Sequence, residues 1–585
     1  MDYLLFHLFT AMKKFQKILF ILLTLSCGHS IAQTGCTILD SAFRSPDQIT
    51  ELELDICRLK ELPNEIRVFR EVKKIDLSEN KLKFLPASVS ELSKLEHLDL
   101  QANDLISLRP EIGELVQLRY LDISYNQLTK IPRPFWNLVS LEYLDISGNS
   151  IEAINPSIGN FVKLKTLQLE GMDIVEIPSD IKNLVLLEKL NLKDNQLTDI
   201  PDAIGSLTQL TELNLEINSI NKISDQIGQL VKIEKLYLRS NSLSELPATI
   251  GQMVELRHLD LNENELKELP ESFENLTELI TLSAELNALE KLPENLGNLN
   301  KLTDLHLAEN NIKELPQSIG KLKRLTALDL NNNQLIELPA TTGELTELQK
   351  LDLNENLITQ LPGTIVNLKE LTELLLSGNQ LKELPEAFGA LNKLILLDLA
   401  RNQINQLPAS MGQLKMLEKL DLTENNLTSL PEGIGGLDSL KELILSENNI
   451  EELPSSIGDM QNLTSLVLDG NSLSALPDEI ASLENLSRLH LEGNGIKKLP
   501  ENIGDLKNLT YLNLDGNHLK KLPESICQLE NLVYLSVEGN LLKKLPESIK
   551  ELKNLKYLYI KGNLFSEKER LNFKYIIPET CKVEF

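Results

Sequence analysis

The sequence predicts an α/β solenoid: one long parallel β-sheet on the concave side, short helical or 3-10 segments on the convex side, and a cap at each end. Three observations predict it. A column of asparagines recurs every 23 residues up to Asn563, with Cys57 opening it and no insertion or deletion along it. Two leucines alternate with polar residues just ahead of each asparagine, as Leu305 and Leu307 do before Asn310, which is the period of a strand with one buried face. Proline follows Leu or Ile in 19 of the 22 units from Pro63 to Pro546, where it fixes φ and removes an N–H in a turn leaving the strand.

The chain has 585 residues, enough for several globular domains. A repeat array escapes that division, because each unit packs only on its neighbours. Residues 1–32 read as a removable signal peptide. Lys13, Lys14 and Lys17 form a basic start after Met12, an alternative site of initiation. Ile18 to Leu25 form a short apolar run, and Ser30-Ile31-Ala32 offers a cleavage site. The run is too short to span a bilayer, and no other stretch of the chain is an integral membrane span. Leu25-Ser26-Cys27 supports the alternative of a lipoprotein anchored through Cys27. Either way the destination is outside the cytoplasm: secreted, periplasmic or at the cell surface. Residues 33–48 form the N-terminal cap, with a short amphipathic helix from Ile38 to Phe43.

Residues 49–565 hold the 23 rungs. The asparagine stands in 21 of them, among them Asn80, Asn103, Asn126, Asn310, Asn333, Asn517 and Asn563, with Cys57 and Met172 as the exceptions. A side-chain amide turned inward at the strand end both donates to and accepts from backbone groups that the turn leaves unpaired. Leaving such a buried group unsatisfied costs about 1–3 kcal/mol. An unbroken ladder therefore implies continuous bonding, and the Met172 rung is expected to be weaker. Ile312, Leu315, Ile319 and Leu322 close the coil behind the strand, and Ile319-Gly320 starts the short convex segment. Residues 566–585 form the C-terminal cap. Ser566 to Ile577 reads as a helix with Leu571, Phe573, Tyr575 and Ile576 as its apolar residues. Cys581-Lys582-Val583 falls 23 beyond Leu558-Tyr559-Ile560 and is expected to add a last strand.

The unit Leu302-x-x-Leu305-x-Leu307-x-x-Asn310-x-Ile312 resembles the leucine-rich repeat. The Leu-Pro-x-x-Ile-Gly form resembles the subgroup of Ras-pathway and cell-polarity scaffolds and of many bacterial proteins. The ends, Pro46 to Leu54 and Pro578 to Phe585, resemble those of the bacterial secreted form. The resemblance covers residues 36–585. It implies a horseshoe-shaped leucine-rich-repeat solenoid acting as a non-enzymatic binding scaffold, with its concave face toward a protein partner.

Composition narrows the partners. The net charge of −28 opposes nucleic acid, because phosphate binding needs a cationic face. No nucleophile–base set, zinc motif or phosphate loop is present, so no catalytic residue, metal or cofactor is assigned. His97, His258, His306 and His490 fall on exposed strand positions of distant rungs. Asp76, Asp99, Asp122 and Asp145 form a concave acidic stripe. The preference of the repeat explains it, and a calcium or cationic ligand is the alternative. Cys36 and Cys57 stand near the limit of disulfide reach, and export would permit that bridge; the register leaves it open. Cys527 and Cys581 are not expected to meet.

The tyrosines carry the functional expectation. Eight of ten, Tyr120, Tyr125, Tyr143, Tyr237, Tyr511, Tyr534, Tyr557 and Tyr559, fall in solvent-facing strand columns. Tyr511, Tyr534 and Tyr557 share a column on consecutive rungs and are expected to stack, with Tyr559 beside them. Exposed aromatics anchor interfaces at low entropic cost, while ordinary cross-strand packing is the plainer explanation. Leu375, Leu396, Ile444 and Val467 also point out of the concave sheet. Lys497-Lys498, Lys520-Lys521 and Lys543-Lys544 replace the acidic or neutral residues of earlier rungs, as a solvated edge or a surface for an anionic partner. A protein is the expected partner and a glycan the alternative, because tyrosine rows also stack on sugar rings.

Overall fold

A 23-residue unit cannot enclose its own apolar residues, and that necessity builds the fold. In the unit around Asn310, Leu302, Leu305, Leu307, Ile312, Ile319 and Leu322 are fully buried. Burying one such side chain is worth about 1.5–3 kcal/mol, but only stacked neighbours close the two open sides. The computed structural model describes residues 36–151 and 153–584. The expected signal peptide at 1–32, with Met12 and Cys27, lies outside them. The chain divides into two compact units, Met1–Ser150 and Ile151–Phe585.

In the first unit, the three-residue strands from Glu51–Glu53 to Tyr143–Asp145 pair in parallel and in chain order, five among the described residues. The second unit repeats this with nineteen, from Thr166–Gln168 to Lys582–Glu584. Register is 23 throughout the interior, as in Leu305 opposite Leu328. The middle residue of each strand points into the core and its two neighbours point out, half-buried on the open sheet face.

The asparagine ladder forms as expected. Asn310 Nδ2 donates to the carbonyls of Ala284, Leu307 and Ala308 at 2.8–3.1 Å, and its Oδ1 accepts from Leu289 N at 2.9 Å. Each asparagine thus ties the turn of its own rung to the rung before it. At the Met172 rung the neighbour contributes: Asn195 Oδ1 accepts from both Met172 N at 3.3 Å and Ile174 N at 2.9 Å.

Behind the sheet each rung makes a 3-10 turn. In most rungs it begins directly after the proline, as in Gln317–Lys321 after Pro316, while at Leu296–Asn298, Phe388–Ala390 and Ile503–Asp505 it begins at the apolar residue before the glycine, as the sequence reading expects. Ile319 fills the core, and Gly320 permits nesting: a Cβ there would stand 2.5 Å from Thr341 O of the next rung.

The caps depart from the sequence reading in detail. The N-terminal helix, Thr37–Ala42, buries Leu39 and Ala42, and Phe43 meets Phe69 with ring centroids 5.0 Å apart. Cys36 and Cys57 are bridged, their Cα atoms 5.1 Å apart. The C-terminal helix, Glu567–Ile576, buries Phe573 and Ile576 but leaves Leu571 and Tyr575 exposed, at 68% and 71%. The last strand forms in another register. Val583 lies opposite Leu558, 25 residues on, so Cys581 falls outside the inward column. The helix occupies more chain than the regular turn it replaces, and the strand is displaced by two.

Candidate functional site

The strand geometry sorts the predicted residues by column. The first residue of each strand carries His97, Tyr120, Tyr143, Leu396, Tyr511, Tyr534 and Tyr557, and the third carries Tyr237, Leu375, Ile444, Val467 and Tyr559. Tyr125 is not on a strand. It sits in the turn just before Asn126 with φ +52°.

Two ring stacks result, one in each unit. In the first, His97 stacks on Tyr120 at 3.9 Å and Tyr120 on Tyr143 at 4.4 Å, with planes within 12°. In the second, His490 stacks on Tyr511 at 4.5 Å, Tyr511 on Tyr534 at 4.3 Å, and Tyr534 leans on Tyr559 at 5.2 Å. The expected row through Tyr557 is thereby corrected. Tyr559, on the third position of the same strand, closes the stack, while Lys582 Nζ lies 5.9 Å from the centroid of Tyr557. Two of the four strand histidines, His97 and His490, prove to be the first ring of each stack. A diagonal step from the third position of one strand to the first of the next joins His490 to Tyr511, and reading one column alone hides it.

Ile444 and Val467 pair in register and lead to His490, so a half-buried apolar and aromatic ridge runs from Ile444 to Tyr559. Leu375 is separated from it by Asp398 and Asp421, and Tyr237 lies between Asn214 and Asp260. Leu396 lies between Glu373 and Lys419. These three do not join the ridge.

Acidic residues accompany both stacks. In the first unit Asp76, Asp99, Asp122 and Asp145 lie in register on the third strand position. Each Oδ1 accepts from the backbone N–H two residues on, at 2.9–3.0 Å, which explains the residue type without a metal. Burial, reinforced by the neighbouring carboxylates, pushes Asp99 up to about 7 and Asp145 up to about 6. Burial drives the Tyr120 and Tyr143 phenols well above their ordinary range and lowers His97, which stays neutral near pH 7. In the second unit the acidic row lies two residues beyond the strand, at Asp469, Glu492, Asp515 and Glu538. Asp469 Oδ1 accepts from Glu492 N at 2.7 Å and Asp515 Oδ1 from Glu538 N at 2.6 Å, each clamping the following rung. Asp469 Oδ2 stands 3.7 Å from His490 Nδ1. Elsewhere, donor atoms of Glu285, His306 and Asp329 lie within 4.8 Å of one another, and His306 faces Glu285 there at 3.9 Å.

Fold and site together define a repeat solenoid that presents a broad, ring-lined sheet face. The chain belongs to the leucine-rich repeat family. The family described as Leucine-rich repeat region matches residues 154–238, 218–310, 293–376, 419–492 and 488–572, and that described as Leucine rich repeat matches 47–105, 105–151 and 385–427. No curated protein matches the chain. Among solved structures, the plant peptide hormone receptor RGFR1, in complex with RGF2, is similar with a TM-score of 0.73 and 31% identity, over 88% of each chain. The ectodomain of the Arabidopsis receptor kinase HAESA, in complex with an IDA peptide hormone, gives 0.63 and 30% over 87% of this chain and 89% of that one. YopM from Yersinia enterocolitica gives 0.57 and 25% over 91% and 96%. Among the described residues no helix is long and apolar enough to cross a membrane.

Proposed function

We propose that this protein is an exported, non-enzymatic recognition scaffold that binds another protein on its sheet face, anchored by the ridge from Ile444 to Tyr559. The single observation that carries this is the ring stack itself. Its rings lie face to face, so their faces are used by one another, and what the surface offers is ring edges and hydroxyls. Sugar rings are held by free aromatic faces, whereas protein side chains and backbone pack against edges and hydrogen-bond to phenols. The face therefore favours a protein over a glycan. Two of the similar structures hold peptide ligands, which supports the same direction. Export is supported by the Cys36–Cys57 bridge and by the apolar leader ahead of it.

The test is affinity capture from intact cells and culture medium with the mature protein and a Tyr511→Ala/Tyr534→Ala/Tyr559→Ala variant matched for folding by circular dichroism. A protein captured by the first and lost by the second is the expected result. Equal capture by both would remove the ridge as the anchor. Retention on cell-envelope polysaccharide after protease treatment of the bait's targets would replace the protein reading with the glycan one.

A further inference from the structure

The last rungs differ from the others in one column that the ridge does not include. The residue just before each ladder asparagine has a positive φ, near +50° to +70°. In most rungs it carries a side chain, as at Glu309, Glu355, Arg401, Glu424 and Glu447. From Gly470 onward it is glycine five times running, at Gly470, Gly493, Gly516, Gly539 and Gly562. Crowding does not require this at the middle three: a Cβ on Gly493, Gly516 or Gly539 would find its nearest neighbour at 3.4–3.7 Å, ordinary contact, whereas one on Gly470 would meet the Glu447 carboxylate and one on Gly562 would come within 3.2 Å of Gly539 N. Nor does the backbone, since glutamate holds the same φ three times in the five rungs before. Gly493, Gly516, Gly539 and Gly562 are exposed. They form a ledge of bare backbone, of the kind that lets another chain approach closely.

Between this ledge and the ring stack runs the acidic row Asp469, Glu492, Asp515 and Glu538, which ends at Lys561. One oxygen each of Asp469 and Asp515 is engaged by backbone N–H, and Glu492 Oε2 accepts from Asn513 Nδ2 at 3.0 Å. Glu538 Oε1 is screened from solvent yet has no hydrogen-bond partner among the described residues. Four carboxylates at rung spacing repel one another, and positive charge laid along the row would relieve that repulsion.

Resting on the protein-binding reading above, we propose that the trough formed by the ring stack, the acidic row and the glycine ledge receives an extended, cationic polypeptide segment. Its backbone lies on the ledge, its Arg or Lys side chains meet the carboxylates, and their apolar stems lie along the tyrosine edges. Charge complementarity selects this occupant. An acidic or neutral segment would leave the carboxylate row unrelieved and desolvated.

The test uses the full mature chain and two fluorescein-labelled dodecapeptides, one alternating Arg with Ser and the other alternating Glu with Ser. Binding is read by anisotropy at physiological salt. The Arg peptide is expected to bind at least tenfold more tightly than the Glu peptide. Asp515→Asn/Glu538→Gln and, separately, Gly493→Asn/Gly516→Asn/Gly539→Asn should each weaken it at least tenfold. Asparagine at that φ is native to Asn332, so the second variant should fold without adding charge, and circular dichroism checks it. Asp99→Asn/Asp122→Asn in the first unit should change binding less than twofold. An equal loss in that control would mean that net charge alone attracts the peptide and would overturn the proposal, as would indifference to the asparagines on the ledge. If the Arg peptide fails while the tyrosine variant still loses its captured protein, the occupant is wrong and the scaffold reading stands. If the tyrosine variant loses nothing, the scaffold reading itself fails at this site.

Discussion

The two ring stacks are built from the same columns and differ in what surrounds them. At the first, the carboxylates stand on the strand itself, beside the rings, and fold back onto their own turns. At the second they stand beyond the strand and reach forward to the next rung. The turn column differs too. At the first stack a Cβ on Gly148 would lie 2.7 Å from Tyr125, whose ring covers that position, whereas at the second the glycines from Gly493 to Gly562 border only the glycine before them. The first stack is accordingly the more inward-looking: burial raises both of its phenols, Tyr120 and Tyr143, and pushes Asp99 up to about 7 and Asp145 up to about 6 beside them. One repeat thus makes either a self-satisfied patch or an open one, according to which neighbouring column carries the charge and which carries no side chain.

The comparison breaks first on the rings. Tyr534→Ala should lower affinity for the captured partner by about 2–3 kcal/mol, roughly 30- to 150-fold, as hot-spot truncations do, and Tyr120→Ala by less than threefold. Titration of each variant against that partner decides it, and the reverse ranking would make the first stack the anchor. The two stacks should, by contrast, rest on equivalent ladders. Asn126→Leu and Asn517→Leu each strand three carbonyls and one N–H and should each cost about 2–3 kcal/mol. Hydrogen exchange at the flanking rungs reads the two losses side by side, and unequal losses would show that the stacks themselves support their rungs.

Next in size is the pH response, which should belong to the first stack. Asp99 has a folded value of about 7 against an ordinary 3.8. Between these the unfolded chain ionises while the folded one holds its proton, so this group's contribution to stability falls as pH rises from about 4 to 7 and is flat outside that window. Asp99→Asn retains an oxygen for Gln101 N–H. It should stabilise the first unit at pH 8 by about 1 kcal/mol, discounted for partial exposure, and change nothing at pH 3. Thermal melts at the two values check the sign. The smallest effect lies in the turn column. Glu447→Gly should stabilise and Gly516→Ala destabilise, each by about 1 kcal/mol or less, as shifts of the urea midpoint.

Much of this protein was legible in advance because a repeat multiplies weak signals. One leucine at one position says little, but leucine at 22 of 23 positions in one column, with Ile75 at the other, excludes other folds. The ladder and the proline turns followed from that register. What failed did so where the register ends or is crossed. Val583 slipped two residues because the cap helix breaks the period. Tyr557 left the stack, and Tyr559 entered it, because ring contact depends on rotamer and on diagonal neighbours. Leu571 and Tyr575 face solvent because the helix turns only one side, with Phe573 and Ile576, to the last rung.

The sequence by itself determined the class of the molecule: the period, the inward columns and the bonding of the ladder are local consequences of composition at fixed spacing. Only the tertiary structure decided which outward residues meet. Columns separated in sequence by 21, 23 or 25 residues become neighbours only after the rungs stack, and the side-chain geometry of that stack assigns the rings, the acids and the bare backbone to one surface.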